Sequence, residues 1–239
     1  MNISLRILLA VIMGTAVYLF GLLVVPGIGF IKNLVETTFI NKGNVTQFAF
    51  LVISLVLIFI FSRGKPGTFG FKGSKIKPLL LAVLVSIPAQ LGMLVLMMFL
   101  VTVSGVTPPR DNLFTSLSFI ETVLSVWIFA SICEEILFRG LLYGFLQPLK
   151  IYGFGTGKFF VSLPVAVCAL MFSLGHLCLL GQIPGIMVFA IVLSTGLLGF
   201  IAGYFRETSQ SLLPAIAAHM TFNIVGYTVP KLLMSMVGS

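Results

Sequence analysis

The sequence predicts an all-α fold: a polytopic transmembrane helical bundle of about seven spans, with the N-terminus inside and the C-terminus outside. Three observations carry that expectation. Of 239 residues, 59% are hydrophobic and only 8% are charged, with a mean hydropathy of +1.17; soluble domains carry about 25% charged residues. The apolar residues gather into seven long runs separated by turn-forming or basic segments. The basic residues are spread unevenly between alternate loops.

The runs follow in chain order. Ile7 to Ile31 comes after Arg6 and has no small-residue cleavage site with a polar chain behind it, so it is expected to be an uncleaved first span. Phe48 to Phe61 is apolar on every face from Leu51 onward and stops at Arg63-Gly64-Lys65-Pro66-Gly67, a turn sequence. Leu79 to Val103 contains Pro88, which is expected to kink it, and ends at Thr107-Pro108-Pro109-Arg110-Asp111-Asn112. Leu117 to Leu146 is too long for one perpendicular span, so it should tilt or lay its end along the interface. Phe159 to Leu180 leads into the tight turn Gly181 to Gly185. Ile186 to Phe205 and Leu212 to Leu233 complete the set. Helices are the natural form, because hydrocarbon offers no partner to backbone groups and the alternation of a β-barrel is absent. With no repeat, linker or low-complexity tract, residues 1–239 make a single integral membrane domain without a sizeable soluble part.

The net charge of +8 comes from fourteen basic and six acidic residues. The basic residues lie between apolar runs, which suits anionic headgroups and topology control, and no basic patch interleaved with aromatics points to nucleic acid. With the N-terminus inside, Arg6, Arg63, Lys65, Lys72, Lys75, Lys77, Lys150, Lys158 and Arg206 fall in inner loops. Lys32, Lys42, Arg110 and Lys231 fall outside, giving nine against four. The three cysteines, Cys133, Cys168 and Cys178, lie within apolar runs and are odd in number, so they are expected to be free.

Ionisable residues within spans cost about 2.5 to 3.5 kcal/mol each on insertion scales, so the few present are informative. The fourth run holds Cys133-Glu134-Glu135-Ile136-Leu137-Phe138-Arg139. Glu135 and Arg139, four apart, share a helix face and can pair. Glu134 projects about 100° away and lacks that partner. The two histidines of the chain also sit in apolar runs: His176 in Phe172-Ser173-Leu174-Gly175-His176, and His219 in His219-Met220-Thr221-Phe222-Asn223, with Asn223 on the same face. Together they offer a general base, a second proton carrier and donors for an oxyanion. No G-x-S-x-G or H-E-x-x-H motif is present. Gly140-x-x-x-Gly144 and Gly199-x-x-x-Gly203 are expected to serve close helix packing, and Glu121 to be an interfacial charge.

The ordered set Glu134-Glu135-x-x-x-Arg139, Phe172-x-x-x-His176 and His219-x-x-x-Asn223 resembles the CPBP family. That family includes the CAAX prenyl proteases of the Ras-converting-enzyme type and bacteriocin-processing or self-immunity proteins. The resemblance covers about Ile120 to Asn223, within a motif-bearing part of about 115–230, and leaves the first three runs without a motif. It implies an intramembrane endopeptidase in which Glu134 and His176 activate a water, His219 and Asn223 bind the oxyanion, and Glu135 and Arg139 give support. A metal-free glutamate mechanism and a metallopeptidase mechanism are both compatible with it. No cofactor is favoured, and zinc, if bound, would take Glu134, His176 and His219.

The function expected is hydrolysis of a peptide bond in a membrane-associated peptide or protein, either a CAAX-type prenylated C-terminus or a bacteriocin-like precursor. The setting expected is the lipid bilayer of a prokaryotic cytoplasmic membrane. Two rivals fit the same intramembrane residues: a non-catalytic immunity or scaffold protein, and a proton-coupled transporter. The lack of an internal repeat counts against the transporter.

Overall fold

Once water is excluded, each run closes its own backbone hydrogen bonds and becomes a helix. The computed structural model of the protein describes residues 2–32, 42–107, 117–157 and 160–237. Among these residues every predicted run falls on one helical element: α1 (Ile3–Lys32), α2 (Lys42–Ser62), α3 (Ile76–Ser104), a composite α4 (residues 119–149), α5 (Leu163–Gly175), α6 (Gly185–Ser209) and α7 (Leu213–Val237). Four of them (α1, α2, α3 and α6) are long and apolar enough by themselves to cross a membrane. The chain is an integral membrane protein.

Surface and interior are inverted relative to a water-soluble protein. Phe59, Leu84, Val95 and Phe99 point outward, whereas Ser86, Thr122, Glu135, Arg139 and Arg206 are buried. That is the arrangement hydrocarbon selects: apolar side chains meet lipid, and polar groups find partners inside.

The boundaries move in informative ways. α2 begins at Lys42, not Phe48, so Asn44 and Gln47 are helical rather than loop residues. α3 runs through Pro88 without ending there. α5 begins at Leu163, with Ser162 as its N-cap accepting from the Val165 amide and Pro164 in the first turn. Ahead of it, the strands β1 (Gly153–Phe154) and β2 (Val161–Ser162) pair antiparallel, Gly153 opposite Ser162. This hairpin replaces the start of the predicted fifth run; a Cβ on Gly153 would lie 2.2 Å from the Val161 carbonyl oxygen, so only glycine admits the approach. Lys32, Lys42, Arg110 and Lys158 of the charge pattern lie where side chains or backbone are not described.

α4 is the axis of the bundle. It opens on a capping box: Ser118 Oγ accepts from the Glu121 amide, and Glu121 Oε2 accepts from the Ser118 amide. Glu121 therefore starts the helix, consistent with a place at its end. Two π-helical stretches follow, Thr122–Ala130 and Ile136–Leu142, with only Ser131–Glu135 in α geometry between them. Every residue from Glu135 to Tyr143 is buried, because α1, α2, α5 and α6 all pack against this part. α3 lies against α6 and α7 on the other side.

One end of the bundle is tied together by hydrogen bonds between the N-terminus, the α2–α3 loop, the end of α4 and the α6–α7 turn. Arg6 Nη1 donates to the Phe145 carbonyl, Ser211 Oγ to the Lys72 carbonyl, Gln147 Nε2 to Gln210 Oε1, and the Leu212 amide to the Gly70 carbonyl. Arg206 is an exception to its expected place. It is a buried residue of α6, donating through Nε to the Arg139 carbonyl and through Nη2 to the Thr68 carbonyl. Removing it from the loop count leaves eight against four (nine less Arg206). The glycine pairs pack as expected: a Cβ on Gly144 would strike Phe69, and one on Gly199 would lie 2.8 Å from Ala169 Cα.

Candidate active site

The site grows from the five α-helical residues Ser131–Glu135 between the π stretches. π geometry is rare and concentrates where a helix must re-aim side chains. Here Glu135 is directed toward α7, and Glu134 toward α2 and α7.

Glu135 is the buried hub. Its Oε1 accepts from Arg139 Nη1 at 2.9 Å and from His219 Nδ1 at 2.9 Å, and both carboxylate and guanidinium are fully buried. The helical spacing of four produces the first contact; the second spans 84 residues. Arg139 also donates through Nη2 to the Gly199 carbonyl, and its guanidinium lies 4.8 Å from the Phe172 ring centroid. The close approach that Gly199 permits is what brings this carbonyl within reach.

Glu134 sits apart and is 16% exposed. Its Oε2 faces His219 Nε2 at 3.8 Å, beyond hydrogen-bond range. Its Oε1 accepts from Gln47 Nε2 of α2 at 2.5 Å. Tyr18, Cys133 and His176 are also within electrostatic reach of this carboxylate.

The acceptors fix both imidazoles. Since Glu135 accepts at His219 Nδ1, the proton is on Nδ1 and Nε2 is the free nitrogen facing Glu134. Since the Phe172 carbonyl accepts at His176 Nδ1, 3.0 Å away, Nε2 is again the free nitrogen. The Phe172 ring lies edge-on between them, 5.1 Å from His176 and 5.5 Å from His219 by ring centroids. The two histidines thus flank one aromatic ring. The thirteen residues of α5 cover about 20 Å, and His176 follows directly at its end.

Asn223 is on the same side but already engaged. Its Nδ2 donates to the Val126 carbonyl and to Ser131 Oγ, both at 3.0 Å, so its two amide hydrogens hold the first π stretch against α7. The structure thus brings Glu134, Glu135, Arg139 and His219 into direct contact, attaches His176 through Phe172, and ties Asn223 to the helix bearing the glutamates.

Three contributors escaped the sequence reading. Gln47 lies just ahead of where the second run was taken to start, which hid a polar side chain on a helix otherwise facing lipid. Tyr18 Oη donates to the Gly175 carbonyl at 2.7 Å and fixes the end of α5 beside His176. Arg206 supports the Arg139 backbone. The signal for all three was a polar group within an apolar run, as Tyr18 is, or at its edge, as Gln47 and Arg206 are.

The three cysteines are free, Cys133 and Cys168 buried and Cys178 exposed. Among the described residues, no group of three or more His, Cys, Asp or Glu is gathered as a metal site.

Residues 116–225, just under half of the chain, match the family described as type II CAAX prenyl endopeptidase Rce1-like. This segment is similar to the CAAX proteases. The Rce1-like segment contains Glu134, Glu135, Arg139, His176, His219 and Asn223, and it leaves Gln47 and Tyr18 outside. By its description the family is one of endopeptidases. No curated protein and no solved structure matches the chain.

Proposed function

We propose that the chain is a glutamate-based intramembrane endopeptidase. It acts as one integral membrane domain, residues 1–239, whose motif-bearing part is about 115–230. It lies N-in and C-out in the cytoplasmic membrane of a prokaryote, and it hydrolyses a peptide bond of a membrane-associated substrate. The observation that carries the reading is the division of labour between adjacent carboxylates. Glu135 is buried with its Oε1 held by Arg139 and His219, while Glu134 is partly exposed and keeps Oε2 directed at an imidazole nitrogen 3.8 Å away.

A water that donates to Glu134 Oε2 is held next to its base. Glu134 takes its proton as the oxygen attacks the scissile carbonyl carbon, with the His176 Nε2 lone pair sharing the proton. The carbonyl π electrons move onto oxygen. His219, entering the reaction with both ring nitrogens protonated and its positive charge against Glu135, donates to that oxyanion through Nε2 and keeps that proton throughout. Asn223 keeps its bond to Val126 and turns its second amide hydrogen from Ser131 to the oxyanion. Each such donor is worth on the order of 3 kcal/mol in other hydrolases. Collapse of the tetrahedral species expels the amine, which takes the proton held by Glu134. No step calls for a metal. A prenylated C-terminal peptide of the CAAX type is the substrate class that the family match supports, and a bacteriocin-like precursor is the alternative.

The test is cleavage of membrane-tethered peptides, some C-terminally prenylated, by purified protein before and after exhaustive chelation, with metal content measured in parallel. Wild type should cleave equally in both states, and Glu134→Gln should not cleave. Full activity in Glu134→Gln would remove Glu134 as the base; loss on chelation that zinc restores would remove the metal-free mechanism.

A further inference from the structure

We propose that Gln47 is a positioning residue for the reaction, aiming Glu134 from outside the family-matched segment. The inference rests on the peptidase reading of Glu134.

Gln47 is on α2, in the part of the chain without motifs, yet its Nε2 makes the 2.5 Å bond that holds Glu134 Oε1. A bond from an amide hydrogen to a carboxylate oxygen is charge-assisted and directional. It fixes one oxygen of Glu134 and so determines where the other, Oε2, points: toward His219. The opposite end of the same planar amide is the second observation. Gln47 Oε1 is buried and has no hydrogen-bond partner among the described residues. An orphaned acceptor in an apolar interior costs on the order of 1–3 kcal/mol. It lies here beside Glu134, whose side chain retains some exposure. We assign it the second hydrogen of the water that Glu134 deprotonates, so one amide orients both the base and its water. His219 from α7 faces Glu134 across 3.8 Å, and among the described residues Gln47 is the one that holds it by a hydrogen bond.

A plain helix-docking role is separable, because α2 has a second tie to α4. Asn44 Nδ2 donates to Ser125 Oγ at 2.9 Å, one turn away from the site. The experiment compares Gln47→Met, close in volume and apolar, with Asn44→Val. Turnover per folded molecule, KM and thermal midpoint are measured on the full-length protein, with Glu134→Gln and the Gln47→Met/Glu134→Gln pair alongside. Gln47→Met should lower kcat about 10- to 100-fold at a KM within about twofold of wild type, with a midpoint within about 2 °C. Asn44→Val should lower the midpoint and leave kcat per folded molecule unchanged. Gln47→Glu keeps the size but sets a second carboxylate against Glu134, and should lose at least as much turnover. Equal kcat in wild type and Gln47→Met overturns the assignment, as does a loss of kcat that matches Asn44→Val. Were wild type to cleave none of the peptides, the peptidase reading would fall, and the contact would be judged by the midpoints. Non-additive shifts in the Gln47 and Glu134 pair uphold it, and additive shifts overturn it.

Discussion

Neighbouring glutamates with opposite surroundings should respond oppositely to the same isosteric change. Glu135→Gln keeps the shape of the side chain and removes its charge. Arg139 then loses its counterion while fully buried, left with the Gly199 carbonyl and the Phe172 face, and Arg206 is a second buried cation nearby. His219 Nδ1 and Arg139 Nη1 must share the single amide oxygen where a carboxylate oxygen had accepted both. Breaking a buried, hydrogen-bonded ion pair from one side costs about 3–5 kcal/mol. At about 2–4 °C per kcal/mol for a chain of this size, the midpoint should fall by roughly 6–20 °C. Glu134→Gln is a milder change. Its side chain is partly exposed and Gln47 Nε2 can donate to the new amide oxygen, so the loss should stay near 1 kcal/mol, about 4 °C or less. Thermal unfolding of the purified variants in one detergent, followed by circular dichroism, measures both. A Glu135→Gln midpoint within 2 °C of wild type, or a Glu134→Gln midpoint as low as that of Glu135→Gln, would refute the assignment of Glu135 as the structural hub.

Two further outcomes follow from the packing. Gly199→Ala places a Cβ 2.8 Å from Ala169 Cα and displaces the carbonyl that Arg139 uses, so it should destabilise by about 1–3 kcal/mol. Gly92→Ala, in α3 with nothing within 4 Å of its Cβ, should be neutral or stabilise by up to about 1 kcal/mol; the pair is compared by thermal midpoint. The α2–α3 loop should face the cytoplasm. A Lys75→Cys variant should therefore resist an impermeant thiol reagent in intact cells and react in inverted vesicles, after the background from exposed Cys178 is removed by Cys178→Ala.

Much of the architecture was legible without coordinates, for a physical reason. Hydrocarbon forces every long apolar run to satisfy its own backbone, so composition and run length determine that helices form and roughly where. Within one helix, spacing alone pairs Glu135 with Arg139 and separates Glu134 from both. The rarity of ionisable groups in spans singled out the glutamates, Arg139 and both histidines. What spacing could not supply was how the helices are turned against each other. Runs such as Leu51 to Phe61 are apolar on every face, so the sequence does not say which face meets lipid and which meets protein. Only the tertiary structure decides that His219 reaches Glu135, that Gln47 reaches Glu134, that Asn223 spends its amide on Val126 and Ser131, and that Arg206 lies inside the bundle. Each is a contact between helices, set by their rotation and depth, and these emerge when the polar groups of separate spans must satisfy one another in a medium that offers them no other partner.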